Sequence, residues 1–284
     1  MVPPPKDERP AGLDRAIREY RPPGIGPEAG ELPVLDAWYA SYPDPGIERV
    51  FELGANEIVF GQDTRQRVSN TRIEPFKWVA MLDIDASNGS RWRGTGWLAS
   101  PSLVVTAGHC VYMHKQGGWV STIRIRLGIA ADDTGEITAE AAPIITARSS
   151  FRSVIGWIRN ENAQADYGAI FLSKPMPREY GHFLYEARSD SALSKQFFNV
   201  DGYPADKPIY QQWFGGRDSA GVTARSLRYT IDTYSAQSGA PVWDDDGRRV
   251  VLGIHTRGTL VSNEAVRITE DVARNVTRWS NGEK

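Results

Sequence analysis

The stretch Leu103-Val104-Val105-Thr106-Ala107-Gly108-His109-Cys110, LVVTAGHC, runs from an apolar, β-branched strand into three small residues and then a histidine. Thr106, Ala107 and Gly108 are small enough to let an imidazole sit at a strand end, so His109 is a candidate general base. Cys110 is the only cysteine, which excludes an intrachain disulfide and, inside this apolar run, favours a buried thiol.

The texture of that strand repeats along the chain. From about residue 58, short runs rich in β-branched and aromatic residues alternate with Gly, Pro, Asp and Asn: KWVAMLDID, TGWLAS, TIRIRLG, PIITA, YGAIFL, FFNVDGY, SLRYTI, RRVVLGIH and EAVRI. Such spacing predicts an all-β, antiparallel sandwich or barrel rather than βαβ units. One helix is expected at the end. Thr269 can cap it, Glu270 and Asp271 suit its first turn, and Val272, Val276 and Trp279 recur on one face.

The first 45 residues are different, holding ten of the 18 prolines in segments such as VPPPK and RPPGIGPEAG. A continuous packed sheet is not expected there. At 284 residues the chain has length for one large or two small domains. With 33 basic and 35 acidic residues its net charge is −2, so no whole-chain attraction to nucleic acid or anionic membrane is implied. No apolar stretch approaches a membrane span, and MVPPPKDERPAGLDR lacks the apolar core of a signal peptide. No metal cluster or nucleotide loop stands out, and no cofactor is expected; Gly215-Gly216 and Gly117-Gly118 lack the spacing and following lysine of a phosphate loop.

A histidine base suggests a search for a nucleophile and an orienting acid. Ser238 stands in a tight turn, YSAQSGAP (234–241), and Asp166 precedes the apolar strand YGAIFL. Each has a bland reading: four histidines occur in the chain, and an Asp before a strand or an SG dipeptide is often only a turn. The conjunction of three such contexts, in the order His, Asp, Ser on a β-rich chain, is what discriminates.

TAGHC at His109, DYGAIFL at Asp166 and QSGAPV at Ser238 resemble the signature regions of the chymotrypsin-like serine endopeptidases. Within them the chain is most similar to the glutamyl endopeptidases: VDGYPADKP (200–208), IDTYSAQSGAPV (231–242), LGIHTRG (252–258) and NEAVRI (263–268) resemble their blocks in order, and GQDTRQRVSNT (61–71) resembles their mature N-terminal region. The resemblance covers residues 58–280. It implies two six-stranded antiparallel β-barrels in a domain spanning 58–284, divided near 175–195, with His109 and Asp166 on the first barrel and Ser238 on the second. It further implies a serine-type endopeptidase acting on protein or peptide substrates.

By the same resemblance, the oxyanion donors are the N–H groups of Ser238 and Ala236. The family usually has glycine at the latter position, because a Cβ is penalised there. Alanine leaves two outcomes: a flipped peptide that loses a donor worth about 10²–10³ in turnover, or a strained but correct geometry. The impaired outcome would make the protein a protease-like binding module. Thr233 and His255 match positions that line the primary pocket in glutamyl endopeptidases, so cleavage after Glu, with Asp weaker, is expected; a protonated His255 would add charge assistance. Asp232, six residues before Ser238, offers the rival of trypsin-type Arg/Lys recognition.

Residues 1–57 read as a propeptide or extension. Glu57-Ile58-Val59 resembles a processing site whose cleavage, by an activating protease, would leave residues 58–284. The resemblance implies a secreted zymogen; the absence of a signal peptide in this sequence leaves a cytoplasmic alternative. The oligomeric state is not indicated.

Overall fold

A computed structural model describes residues 17–19, 35–36, 59–141, 143–244, 246–259 and 261–283 of the chain. Two β-sheets dominate it. The first is built from β2 (Val79–Asp85), β3 (Arg91–Ser100), β4 (Leu103–Thr106), β5 (Thr122–Leu127), β6 (Ile144–Ala147), β7 (Phe151–Ser153) and β8 (Gly168–Phe171). In space their order is β6-β5-β2-β3-β4-β8-β7, a sheet that curls into a half-barrel. The sequence TIRIRL shows why β5 forms: Ile123, Ile125 and Leu127 point inward while Arg124 is exposed and Arg126 pairs with Asp83 and Glu140 at the rim.

The second sheet contains β9 (Phe197–Gly202), β10 (Trp213–Val222), β11 (Ser226–Tyr229), β12 (Pro241–Asp244), β13 (Val250–Gly258) and β14 (Asn263–Arg267). The order β10-β9-β12-β13-β14-β11 returns to β10, closing a six-stranded barrel. Outside the ring, β1 (Gln66–Val68) adds to β10, Ile17–Glu19 pairs with β1, and Leu35–Asp36 pairs with β3.

Aromatic side chains join the two halves. Phe183, from the connecting segment, meets Trp78 at 5.2 Å and Trp97 at 6.1 Å on one side, and Trp243 of β12 at 6.0 Å on the other. All four are buried. Large apolar groups of this kind supply much of the burial that holds two sheets together.

The expected C-terminal helix spans Glu270–Ser280, with the Thr269 hydroxyl accepting from Val272 N–H. Val272 and Val276 are buried against the first half, and Trp279 lies 5.9 Å from the Tyr167 ring. Tyr167 follows Asp166, so the end of the chain packs beside one of the predicted site residues.

Candidate active site

His109 lies on one helical turn, Gly108–Val111, that follows β4 directly. Antiparallel pairing sets Thr106 of β4 opposite Gly168 of β8, so the residues just beyond one strand end meet those just before the other. Asp166 thereby reaches His109 twice. The His109 backbone N–H donates to Asp166 Oδ1 at 2.8 Å, and Nδ1 lies 2.7 Å from Oδ2. With Asp166 ionised, Nδ1 carries the proton and Nε2 presents its lone pair. Gly108 makes the approach possible, since a Cβ there would lie 2.9 Å from Asp166 Oδ1 and 2.8 Å from Trp157 Cδ1. Burial disfavours charge on His109, but the Asp166 carboxylate outweighs it and raises the imidazole well above its usual pKa.

The turn carrying Ser238 comes from the second barrel and is tied to the first chiefly through Thr95 of β3. Thr95 N–H donates to the Ser238 carbonyl at 2.8 Å, and Thr95 Oγ1 donates to the Ala236 carbonyl at 2.8 Å. Cys110 Sγ also donates to the Ser238 carbonyl, at 3.6 Å, so the residue after His109 touches the residue at the centre of the turn. Cys110 is fully buried, as its apolar context predicts. Gly239, at φ +92°, completes the contact: a Cβ there would sit 2.1 Å from the Thr95 carbonyl. Among the described residues, Ser238 Oγ makes one long hydrogen bond, to the Thr256 carbonyl at 3.4 Å.

Ala236 holds the glycine-like conformation, with φ +75°. Both adjoining peptides are pinned. Ala205 N–H donates to the Ser235 carbonyl at 2.7 Å, while Thr95 holds the Ala236 carbonyl. In a trans peptide the N–H opposes the C=O, so the Ala236 N–H is directed away from Ala205. Among the described residues neither it nor the Ser238 N–H donates to another group. The left-handed backbone at alanine costs about 1–3 kcal/mol, offset by these ties.

The pocket candidates contrast with this turn. Thr233 is fully buried and its Oγ1 has no partner among the described residues. His255, on β13, places Nδ1 2.6 Å from the Tyr229 hydroxyl, and its buried Nε2 likewise has none. Burial, with the charge of His109 added, pushes His255 down to a pKa of about 3. A neutral buried ring gives up the charge assistance that a protonated His255 would add; if the Tyr229 hydroxyl donates to Nδ1, Nε2 carries the hydrogen.

Asp232 is 1 % exposed and already occupied. Phe60 N–H donates to Oδ1 at 2.8 Å, while Thr64 N–H at 2.8 Å and Thr64 Oγ1 at 2.6 Å donate to Oδ2. Recognition of Arg or Lys through Asp232 finds its carboxylate engaged. Glu57 and Ile58 lie outside the described residues. Sequence reasoning missed Thr95 and Tyr229; the alternation in RGTGW, where glycines flank Thr95, is the one local sign of a close backbone approach.

No family model matches the chain. Among curated proteins it is 33% identical over 232 residues to a glutamyl endopeptidase of Bacillus licheniformis, covering 78% of this chain and 69% of that protein. It is 34% identical over 239 residues to a Bacillus subtilis protein named extracellular metalloprotease, covering 83% and 74%. Among the described residues here, no group of three or more His, Cys, Asp or Glu could hold a metal ion. A solved Glu endopeptidase in complex with MPD superposes with a TM-score of 0.66 at 23% identity, covering 79% of this chain and all of that one, a likeness of fold. With that fold, and with a glutamyl endopeptidase related over most of both lengths, the chain belongs to the glutamyl endopeptidase family of chymotrypsin-like serine endopeptidases.

Proposed function

We propose that this serine endopeptidase cleaves peptide bonds after glutamate, and more weakly after aspartate, through Ser238, His109 and Asp166. The observation that carries the specificity is the pair of buried polar atoms left without partners, Thr233 Oγ1 and His255 Nε2. A hydroxyl and a neutral imidazole N–H can each donate to a substrate carboxylate, and burying them unpaired is otherwise unfavourable.

In the reaction, His109 Nε2 takes the Ser238 proton as Oγ attacks the scissile carbonyl. The carbonyl oxygen becomes an oxyanion held by the N–H groups of Ser238 and Ala236. His109 then gives the proton to the leaving amine, and water attacks the acyl-enzyme by the same route in reverse. Asp166 fixes the ring and stabilises the imidazolium.

The binding-module alternative rested on Ala236, and its φ of +75° supports a working donor instead. Residues 1–57 are assigned here to a propeptide. Intact-mass measurement of active protein checks this; full activity without shortening refutes it.

Matched peptides differing only in Glu, Gln, Arg or Phe before the scissile bond test the specificity. Glu is expected to exceed Gln by at least about tenfold in kcat/KM, the loss of one charged partner. A preference for Arg would overturn it. A fluorophosphonate label that attaches to the protein, and is lost in Ser238→Ala, tests the nucleophile.

A further inference from the structure

The segment that opens the protease domain is fastened to the wall of the proposed pocket. Phe60 and Thr64 together place three donors on the Asp232 carboxylate, across 172 and 168 residues of sequence. Asp232 directly precedes Thr233, and both are buried. Arg217 Nη2 donates to Thr64 Oγ1 at 3.3 Å, leaving that hydroxyl's own proton for Asp232.

The same segment is anchored a second time. Arg65, 2 % exposed, pairs with Asp63 and Asp206, and Lys207 Nζ reaches Asp63 at 2.7 Å. These residues lie just beyond Ala205, whose N–H holds the Ser235 carbonyl. Residues 60–65 therefore bridge the two loops that flank the Ser238 turn.

From this geometry we infer that Asp232 is a positioning residue for substrate specificity: it clamps the domain's N-terminal segment onto the loop bearing Thr233, and so fixes the Thr233 hydroxyl. Asp232 does not touch substrate. A carboxylate with both oxygens occupied by buried donors is a rigid support, and the adjacent residue inherits that rigidity. The three donors replace the Arg or Lys that the same position would hold in an open pocket. The inference rests on Thr233 binding the substrate carboxylate.

A positioning role for ground-state and transition-state binding alike raises KM and leaves kcat nearly unchanged. In Asp232→Asn, whose amide presents a donor where a carboxylate oxygen accepted, KM for a Glu peptide should rise about tenfold or more. Hydrolysis of p-nitrophenyl acetate, which needs Ser238 but not the pocket, should change less than about twofold. Thr64→Val, which removes one donor at constant size, should raise KM about threefold, and Thr64→Ser should restore it. Unchanged Glu-peptide kinetics in both Asp232→Asn and Thr64→Val would overturn the inference, as would equal loss of peptide and ester hydrolysis. If Asp232→Asn does not fold, the Thr64 pair decides alone. If the wild-type protein lacks Glu preference, the specificity reading fails by itself, and the clamp is scored on the preferred peptide by the same ratio to ester hydrolysis.

Discussion

The Ser238 turn and the pocket wall sit side by side, yet they use hydrogen bonds in opposite ways. Around Ser238 every carbonyl from Tyr234 to Gln237 accepts from a neighbour: Tyr234 from Gln237, Ser235 from Ala205, Ala236 from Thr95 and Gln237 from Ala240. At the wall, Thr233 Oγ1 and His255 Nε2 are buried with no partner among the described residues. Tied carbonyls hold a strained backbone in place, whereas buried donors without partners are free to pair with a ligand. In the proposed reaction the satisfied region would do the chemistry and the unsatisfied one would choose the substrate.

The largest expected effect breaks the tied side at its base. Asp166→Asn removes the charge that fixes His109 and should lower kcat about 10⁴-fold. Its pH profile sharpens the point. His109 must be neutral to accept a proton, and Asp166 raises its pKa, so wild-type kcat/KM should climb with pH on the alkaline side of the ordinary 6.5. In Asp166→Asn the midpoint should move to lower pH, and a rate–pH series with a peptide substrate measures both.

Next comes Thr95→Val, which removes the hydroxyl between the Ala236 carbonyl and the Tyr203 N–H. Two buried groups lose a partner, at about 1–3 kcal/mol each. Turnover should fall about 10- to 100-fold through a loosened Ala236 peptide, with KM nearly unchanged. A large rise in KM with normal kcat would show that Thr95 serves the pocket instead.

How far the sequence disclosed these regions depends on the range of the interactions involved. The alternation in TIRIRL and the Thr269 cap are local, and β5 and the C-terminal helix follow from them. β10 is not among the strand-like runs named above, because the glycines and charges of WFGGRDSAGV interrupt the apolar pattern. Its glycines serve packing: a Cβ on Gly216 would lie 2.6 Å from the Phe197 ring and one on Gly215 3.0 Å from Ile231. His109, Asp166 and Ser238 each carry a local context that identifies them. The neutral state of His255 and the occupation of Asp232 do not, since both depend on burial and on partners far along the chain.

The two buried histidines give the third test, on stability. His255 binds its proton less readily folded than unfolded, so the unfolded chain takes up the extra proton as pH falls below about 6.5. Folded-state stability should therefore decline from pH 6.5 toward 5 by up to about 2 kcal/mol from this residue. His109 acts in the reverse sense: its raised pKa contributes stability that is complete below 6.5 and lost as pH rises through its folded value. Denaturant melts of His255→Gln should show a flatter acid limb than wild type. An equally steep limb would mean that His255 is not the neutral ring described.

The smallest effect is the most informative about the turn itself. Ala236→Gly removes a Cβ from a left-handed backbone, relieving about 1–2 kcal/mol, but glycine also frees the unfolded chain and gives back about 0.5–1 kcal/mol. The net change should be a gain in stability of no more than about 1.5 kcal/mol. Because Ala205 and Thr95 hold the peptides on both sides of Ala236, the N–H direction should not depend on the side chain. Turnover should then stay within about threefold of wild type, a barrier change of under about 1 kcal/mol. A rise of 10²–10³, the worth of an oxyanion donor, would mean that alanine had been turning that N–H away. Single-turnover acylation of the glycine variant separates these outcomes, because it reads the step in which the oxyanion forms.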